Sequence, residues 1–132
     1  MSLTFTVYGK TATKGSTRSF VTKGRIVTLA DNRNLGAWTQ AAKWAAKTAG
    51  AVLVPKPRGL VVSVTFQFVR PPSALKRLYP TVKPDIDKLI RAVLDALTGI
   101  AYEDDAQVLS LTALKTYGDT ELCVIDVFEM RE

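Results

Sequence analysis

The sequence contains no histidine and a single cysteine, Cys123. Without histidine, the Ser-His-Asp and Cys-His arrangements of hydrolases are excluded, and so is acid–base catalysis by imidazole. The usual zinc sites are also excluded, because they need several Cys or His ligands. One cysteine cannot form an intrachain disulfide, which is consistent with a reducing compartment. Any catalysis must therefore use carboxylates, Lys, Arg, hydroxyl groups or a metal ion held by oxygen ligands.

Long apolar runs are absent as well. The longest, at residues 51–54 and 60–62, fall far below the ~20 residues that span a bilayer. The first nine residues have neither the basic region nor the apolar region of a signal peptide. We therefore expect a cytoplasmic protein with no membrane partner. The 132 residues, 47% of them hydrophobic, are enough for one globular domain spanning 1–132.

Acidic residues are almost missing from the first part of the chain. Residues 1–84 contain 14 Lys and Arg and one acid, Asp31, whereas residues 85–132 contain 4 Lys and Arg and 11 acids. The resulting net charges, +13 and −7, add to the overall +6. Positive charge without local partners favours a polyanionic ligand, and binding to a phosphate backbone would depend on salt. The pattern predicts a basic binding surface and an acidic centre.

Hydrophobic periodicity predicts an α+β fold, a small mixed β-sheet with two main helices in the order β-β-α-β-α-β-β. Alternating apolar residues predict strands at 3–8 and 60–69, and a shorter one at 25–29. The last two strands, 107–117 and 121–130, are predicted to form a hairpin around a turn at Gly118 and Asp119.

The segments between the strands carry helix and loop signals. Asn32 or Asn34 is suited to cap a first helix that ends near Gly50, and a second helix is predicted from Pro84 to Gly99. The polar, basic segment 10–24 is predicted to be an exposed loop or a loose hairpin. Cys123 alternates with apolar residues in a predicted strand and is expected to lie in the core.

Two pairs of acids are the candidates for chemistry, Asp85 with Asp87 at the start of the second helix and Asp104 with Asp105 after it. The first two converge if Asp85 is extended and Asp87 lies in the first helical turn. An antiparallel return of the chain would bring the second pair beside the first. Carboxylates meeting there would repel one another unless a cation lies among them, and oxygen ligands select Mg²⁺ or Mn²⁺. Such a site in a basic protein favours chemistry on a phosphodiester.

Each pair also has a purely structural explanation. Acids in a first helical turn commonly act as caps or as partners of the helix dipole. Residues 103–105 can equally form a solvated loop. The chemical hypothesis therefore rests on both pairs occurring together, one helix apart.

The segment 79–108 resembles the RusA family of Holliday-junction resolvases. Three motifs carry the resemblance in order: Asp85-Ile-Asp87-Lys-Leu at a helix start, Asp95-Ala-Leu97 in the same helix, and Asp104-Asp-Ala-Gln-Val108 at the next strand. The resemblance implies a Mg²⁺-dependent endodeoxyribonuclease, with Mn²⁺ as a substitute ion and no small-molecule cofactor. It implies that four-way DNA junctions are cut by paired symmetric nicks during recombination and repair, often in phages or prophages. It also implies a homodimer, which suits a substrate with two-fold symmetry.

Carried over residue by residue, the resemblance implies that Asp85, Asp87 and Asp105 are catalytic metal ligands and that Asp104 is a neighbouring ligand. Where the family has a catalytic Lys, this chain has Arg91. Arginine cannot give up its proton near neutral pH, but it can neutralise charge that develops on the phosphate. The spacing from Asp87 to Arg91 equally suits a simple helical ion pair.

Eight basic residues are the candidates for contacts with DNA phosphates. They are Lys14, Arg18, Lys23, Arg25, Lys76, Arg77, Lys83 and Lys88. Two other functions remain open: a non-catalytic nucleic-acid-binding module with a structural cation site, which the arginine at position 91 supports, and a flap or single-strand nuclease that uses the same site.

Overall fold

The computed structural model describes residues 2–11, 17–22, 25–30 and 35–131, with backbone alone for the strands between 17 and 30. The helices and strands are β1 (Ser2–Tyr8), β2 (Thr17–Thr22), β3 (Arg25–Ala30), α1 (Leu35–Thr48), β4 (Leu60–Phe68), α2 (Ile86–Leu97), β5 (Val108–Tyr117) and β6 (Leu122–Glu129). The predicted α+β class is confirmed, and the element order matches in outline. The difference is β2, which pairs with β3 in a separate two-stranded sheet. That strand lies in the segment predicted to be a loop or a loose hairpin.

The main sheet has the strand order β1-β6-β4-β5. β6 is antiparallel to both of its neighbours, whereas β4 and β5 are parallel. Parallel neighbours need a crossover connection, and α2 provides it. The helix therefore runs back along these two strands, so that its first turn lies near their ends and its last turn near their starts.

The predicted hairpin of the last two strands is wrong, because β4 lies between β5 and β6. The connection at Gly118 passes around the end of β4 instead of forming a tight turn. The Gly118 N–H donates to the Phe68 carbonyl at 2.9 Å, and the Gln67 amide donates to the Thr120 carbonyl at 2.9 Å. Gln67 also lies so close to Gly118 that any Cβ there would collide with its side chain. β4 and β6 are the two inner strands of the sheet, and the alternate apolar side chains of both are fully buried.

The core lies between the main sheet and the two helices. Its largest members include Leu60, Val62, Val64, Phe66, Leu89, Leu97 and Tyr102, together with Cys123 as expected. Burial raises the pKa of the Cys123 thiol to about 12, so the thiol is unreactive in the folded protein. α1 buries Trp38, whereas Trp44 on the same helix is 73% exposed. No helix in the described part of the chain is long and apolar enough to cross a membrane.

Candidate active site

The start of α2 presents two exposed carboxylates side by side. Asp85 precedes the helix in an extended conformation (φ −73°, ψ 143°), and Asp87 lies in the first turn. This is the arrangement named above as the condition for convergence of the two carboxylates, although the helix begins at Ile86 and not at Pro84. The Asp85 carbonyl accepts the first helical hydrogen bond, from the Leu89 N–H at 3.2 Å. Its carboxylate, however, caps none of the N–H groups of this fully described helix start. Capping therefore does not account for the acid at position 85.

The two carboxylates line an open cleft between α2 and the end of β5. The cleft is also lined by Lys83 and Lys115 and by the apolar side chains of Val82 and Ile86. The Lys115 ammonium donates to the Val82 carbonyl at 2.7 Å, which ties β5 to the segment before the helix. Cations beside a pair of carboxylates reduce their mutual repulsion and attract a phosphate.

Lys115 is a site residue that the sequence analysis missed. It pairs with Phe66 across β4 and β5, so both side chains point to the helix side of the sheet. A lysine at an inward position of a strand is unusual, and that is the signal that could have identified it. It could not have been placed beside Asp85 without knowing that β5 is parallel to β4.

The basic connection before α2 is held in place by a small network around Tyr117. The Arg70 Nε donates to the Arg77 carbonyl at 2.7 Å, and the Arg70 guanidinium stacks over the Tyr117 ring, 4.9 Å from its centroid. The Arg77 guanidinium donates to the Tyr117 hydroxyl at 3.3 Å. Arg77 is thus partly used for anchoring, whereas Lys76 next to it is exposed.

The second acidic pair lies in a 3₁₀ turn at Asp105–Gln107, which we call the acidic turn, together with the preceding Asp104. The Asp104 carboxylate accepts a hydrogen bond from the Ala106 N–H at 2.9 Å and forms an ion pair with Lys56 at 3.1 Å. The backbone hydrogen bond, followed by Lys56, holds the pKa of Asp104 below its ordinary value. Asp104 therefore has a structural role, and the exposed Asp105, whose side chain hydrogen-bonds to Asp104, is the more accessible carboxylate of this pair.

Gln107 fixes the acidic turn to the rest of the fold. Its buried side-chain oxygen accepts from the N–H groups of Glu103 and Asp104, both at 2.9 Å. Its amide donates to the carbonyls of Val54 at 3.1 Å and Arg58 at 3.0 Å. Because every polar group of this side chain is used, the turn is joined firmly to the segment that precedes β4.

The two acidic pairs do not meet within one chain, and the expectation that they converge is wrong. The acidic turn follows the last turn of α2. The Tyr102 hydroxyl donates there to the Leu94 carbonyl at 2.8 Å. Burial, with the Asp105 charge as a smaller cause, raises the pKa of Tyr102. Asp85 lies at the other end of this helix, whose 12 residues correspond to ~18 Å. No group of three or more Asp, Glu, Cys or His residues suited to a metal occurs among the described residues. The cause is the parallel crossover, which places the start of β5 at the far end of the helix.

The remaining predicted residues lie around these two acidic pairs. Arg91 is exposed one helical turn after Asp87, and Lys88 is half-buried on the same helix. Arg18 and Arg25 lie in β2 and β3, where only the backbone is described. Lys14 and Lys23 fall outside the described residues. The structure thus brings Lys83 to the carboxylates of α2.

Comparison with known proteins identifies the family. The sequence pattern of the RusA endodeoxyribonucleases matches residues 11–127, most of the chain. The chain belongs to the RusA endodeoxyribonuclease family. It is also similar to the uncharacterized protein YqaN of Bacillus subtilis (strain 168), with 27% identity over 124 residues that cover 87% of each protein. Membership in the RusA family supports an endonuclease that hydrolyses DNA, with divalent metal dependence and branched junctions as the general properties of the family.

Proposed function

We propose that this RusA-family protein is a Mg²⁺-dependent endonuclease that resolves four-way DNA junctions by paired symmetric nicks, in recombination and repair. The observation that carries the proposal is the pair of exposed carboxylates Asp85 and Asp87, at a cleft that also contains Lys83 and Lys115. The Asp85 side chain makes no capping hydrogen bond to its helix start. Exposed carboxylates flanked by lysines suit a site that holds a cation and a phosphate together.

The residues at the cleft fit a hard divalent cation. Asp85 and Asp87 offer carboxylate oxygens, which Mg²⁺ and Mn²⁺ prefer, and the chain has no histidine to favour zinc. Bound there, the ion would act as a Lewis acid on the phosphodiester and promote attack by water. The protein itself would hold the DNA backbone through Lys83 and the exposed Lys76. Because the cleft is open, water would be excluded from it only where DNA covers it.

A third carboxylate ligand must come from elsewhere, since Asp105 lies toward the opposite end of α2. A two-fold symmetric dimer with antiparallel α2 helices would bring Asp105 of the partner subunit toward Asp85 and Asp87. Such a dimer has two equivalent sites, which matches the two nicks that a four-way junction requires. The proposed homodimer is therefore part of the catalytic proposal.

Arg91 is the candidate for stabilising charge on the transferred phosphate. It lies one turn after Asp87 on the exposed side of α2. A guanidinium keeps its proton, so the proposed role is electrostatic and excludes acid or base catalysis. The same arginine is the best argument for the competing function, a junction-binding module without catalysis.

The test is cleavage of a labelled four-way junction by the purified protein, beside a plain duplex and a flap of the same sequence. We expect paired nicks on the junction that need Mg²⁺ and disappear in EDTA and with Asp87→Asn, while the duplex is spared. Asp119→Asn, an exposed acid in the connection between β5 and β6, is the matched control. Equal cutting of the flap would contradict the junction preference. Tight binding to the junction without cutting in Mg²⁺ or Mn²⁺ would favour the binding module.

A further inference from the structure

Three large apolar side chains are exposed in the connection between β4 and α2, residues 69–84. Leu75 is 77%, Leu78 73% and Tyr79 66% exposed, and all three lie within one five-residue stretch. We call these three residues the apolar triplet. A single exposed apolar residue is ordinary, whereas a group of them indicates a surface that binds something.

The connection that carries the apolar triplet is held to β5 on both sides of the triplet. Before it, the Arg70 guanidinium stacks over the Tyr117 ring, and after it, the Val82 carbonyl accepts a hydrogen bond from the Lys115 ammonium at 2.7 Å. Four of the sixteen residues of the connection are prolines, which restrict the backbone further. Because the support is already ordered, binding through the triplet costs little conformational entropy.

The apolar triplet lies next to the cleft that contains Asp85 and Asp87. The Tyr79 carbonyl accepts a hydrogen bond from the Thr81 N–H at 2.8 Å, and both Thr81 and Val82 line that cleft. Three residues of chain span at most ~11 Å, so the Tyr79 backbone lies within this distance of the Val82 backbone. A ligand as large as a DNA duplex, lying in the cleft, therefore also reaches the triplet.

The charge around the apolar triplet favours a nucleic acid over an apolar protein surface. Residues 61–84 contain four basic residues and no acid, and Lys76 and Lys83 among them are exposed. Apolar side chains between cations suit a ligand that offers both phosphates and uncovered base faces. In a continuous duplex each base face is covered by its neighbour, whereas at a branch point the stack of bases is interrupted.

We propose that Leu75, Leu78 and Tyr79 insert at the branch point of the DNA and contact the base faces that the interrupted stack leaves uncovered. The inference rests on the proposed function, because it takes branched DNA as the substrate of the cleft. On a plain duplex the same contacts would require separation of stacked bases, which costs free energy that the branch point does not require. The apolar triplet thus determines the preference for branched over linear DNA, and the carboxylates of the cleft serve the cutting step.

The inference is tested by binding in EDTA, where no strand is cut, with fluorescence anisotropy of a labelled four-way junction and of a duplex of the same sequence. We expect Leu75→Ser/Leu78→Ser/Tyr79→Ser to lower the affinity for the junction about 10-fold or more and to leave the affinity for the duplex nearly unchanged. Val52→Ser/Leu53→Ser, at exposed apolar residues that follow α1, is the matched control and should bind both DNAs like the unchanged protein. An equal loss on junction and duplex, or no loss on either, would overturn the inference.

A fluorescent base provides a second measurement on the unchanged protein. The junction carries 2-aminopurine, whose emission depends on its stacking neighbours, either at the branch point or within one arm. We expect binding of the unchanged protein in EDTA to change the emission of the probe at the branch point and not of the probe in the arm. The triple variant, at a concentration that saturates the junction, should leave both probes unchanged. A bound junction whose branch-point probe does not respond would contradict the inference.

The outcomes separate this inference from the nuclease itself. A junction that is bound through the apolar triplet but never nicked in Mg²⁺ would refute the proposed function and leave the inference intact. Nicking that stays specific for the junction in the triple variant would refute the inference and leave the nuclease intact. Light scattering gives the mass of each protein in solution, and a lower mass for the triple variant would assign the triplet to contact with a second copy, which also overturns the inference.

Discussion

At the scale of single residues, the side chains around α2 divide into those engaged in the fold and those left free. Asp104 caps a turn and pairs with Lys56, and Arg77 anchors a loop. Asp85, in contrast, caps nothing within its own helix start. Free charged groups in a cleft cost stability through repulsion, which is a reason to assign them to ligand binding.

Arg91 provides the sharpest prediction at this scale. We expect Arg91→Ala to lower the rate of junction cleavage ~100-fold, the usual effect of removing one group that stabilises transition-state charge. Arg91→Lys should retain most of the rate because the charge is kept. The measurement is single-turnover cleavage together with binding of the junction in EDTA.

Affinity for the junction should change little in the same variants. If Arg91→Ala instead left the cleavage rate unchanged and only lowered the melting temperature, Arg91 would be a helical partner of Asp87 without a role in catalysis. Lys47→Ala, at an exposed lysine of α1, is the control for a general loss of positive charge.

The sequence was informative about local features of these residues and uninformative about their distances. It indicated a helix start near Pro84, because helix starts follow local rules, and the observed helix begins two residues later, at Ile86, with Asp85 extended and Asp87 in the first turn. It did not reveal that Lys115 joins them, since that contact depends on the pairing of strands distant in sequence.

At the scale of elements, the acidic turn combines a structural glutamine with a carboxylate that we propose to be catalytic. Gln107 is buried and makes four hydrogen bonds, which hold the turn against the segment before β4. Asp105, two residues earlier, is exposed. The glutamine therefore has a positioning role for the carboxylate that precedes it.

We predict that Gln107→Ala lowers the free energy of unfolding by about 3 kcal/mol, because buried N–H and carbonyl groups lose their partners. Gln67→Ala, which removes one exposed hydrogen bond to Thr120, should cost less than about 1 kcal/mol. Urea unfolding followed by circular dichroism measures both. Equal effects of the two substitutions would show that Gln107 does not hold the turn.

The main error of the sequence interpretation also belongs to this scale. Segments 107–117 and 121–130 have hairpin spacing and a Gly-Asp turn, and they form strands β5 and β6 much as predicted. They are nevertheless separated by β4. Local pattern identifies strands, but their order depends on contacts between segments distant in sequence, and here β4 and β6, whose alternate apolar side chains are buried, take the two inner places.

At the scale of the whole molecule, the predicted acidic centre is divided, because its two acidic pairs lie toward opposite ends of α2. The net charges of +13 in residues 1–84 and −7 in residues 85–132 were sufficient to predict a polyanionic ligand. They did not predict that the acids at the start and end of α2 lie apart, because that depends on the parallel crossover of β4 and β5. The proposed dimer would bring the two groups of acids together between subunits.

The measurement that tests this account most directly uses heterodimers of Asp87→Asn and Asp105→Asn, purified through two different tags. Each variant alone should be inactive on the four-way junction. If the site combines Asp87 of one chain with Asp105 of the other, the heterodimer contains one intact site and should nick one strand of the junction in Mg²⁺. A heterodimer that does not cut, while the unchanged protein with the same tags cuts both strands, would contradict the account.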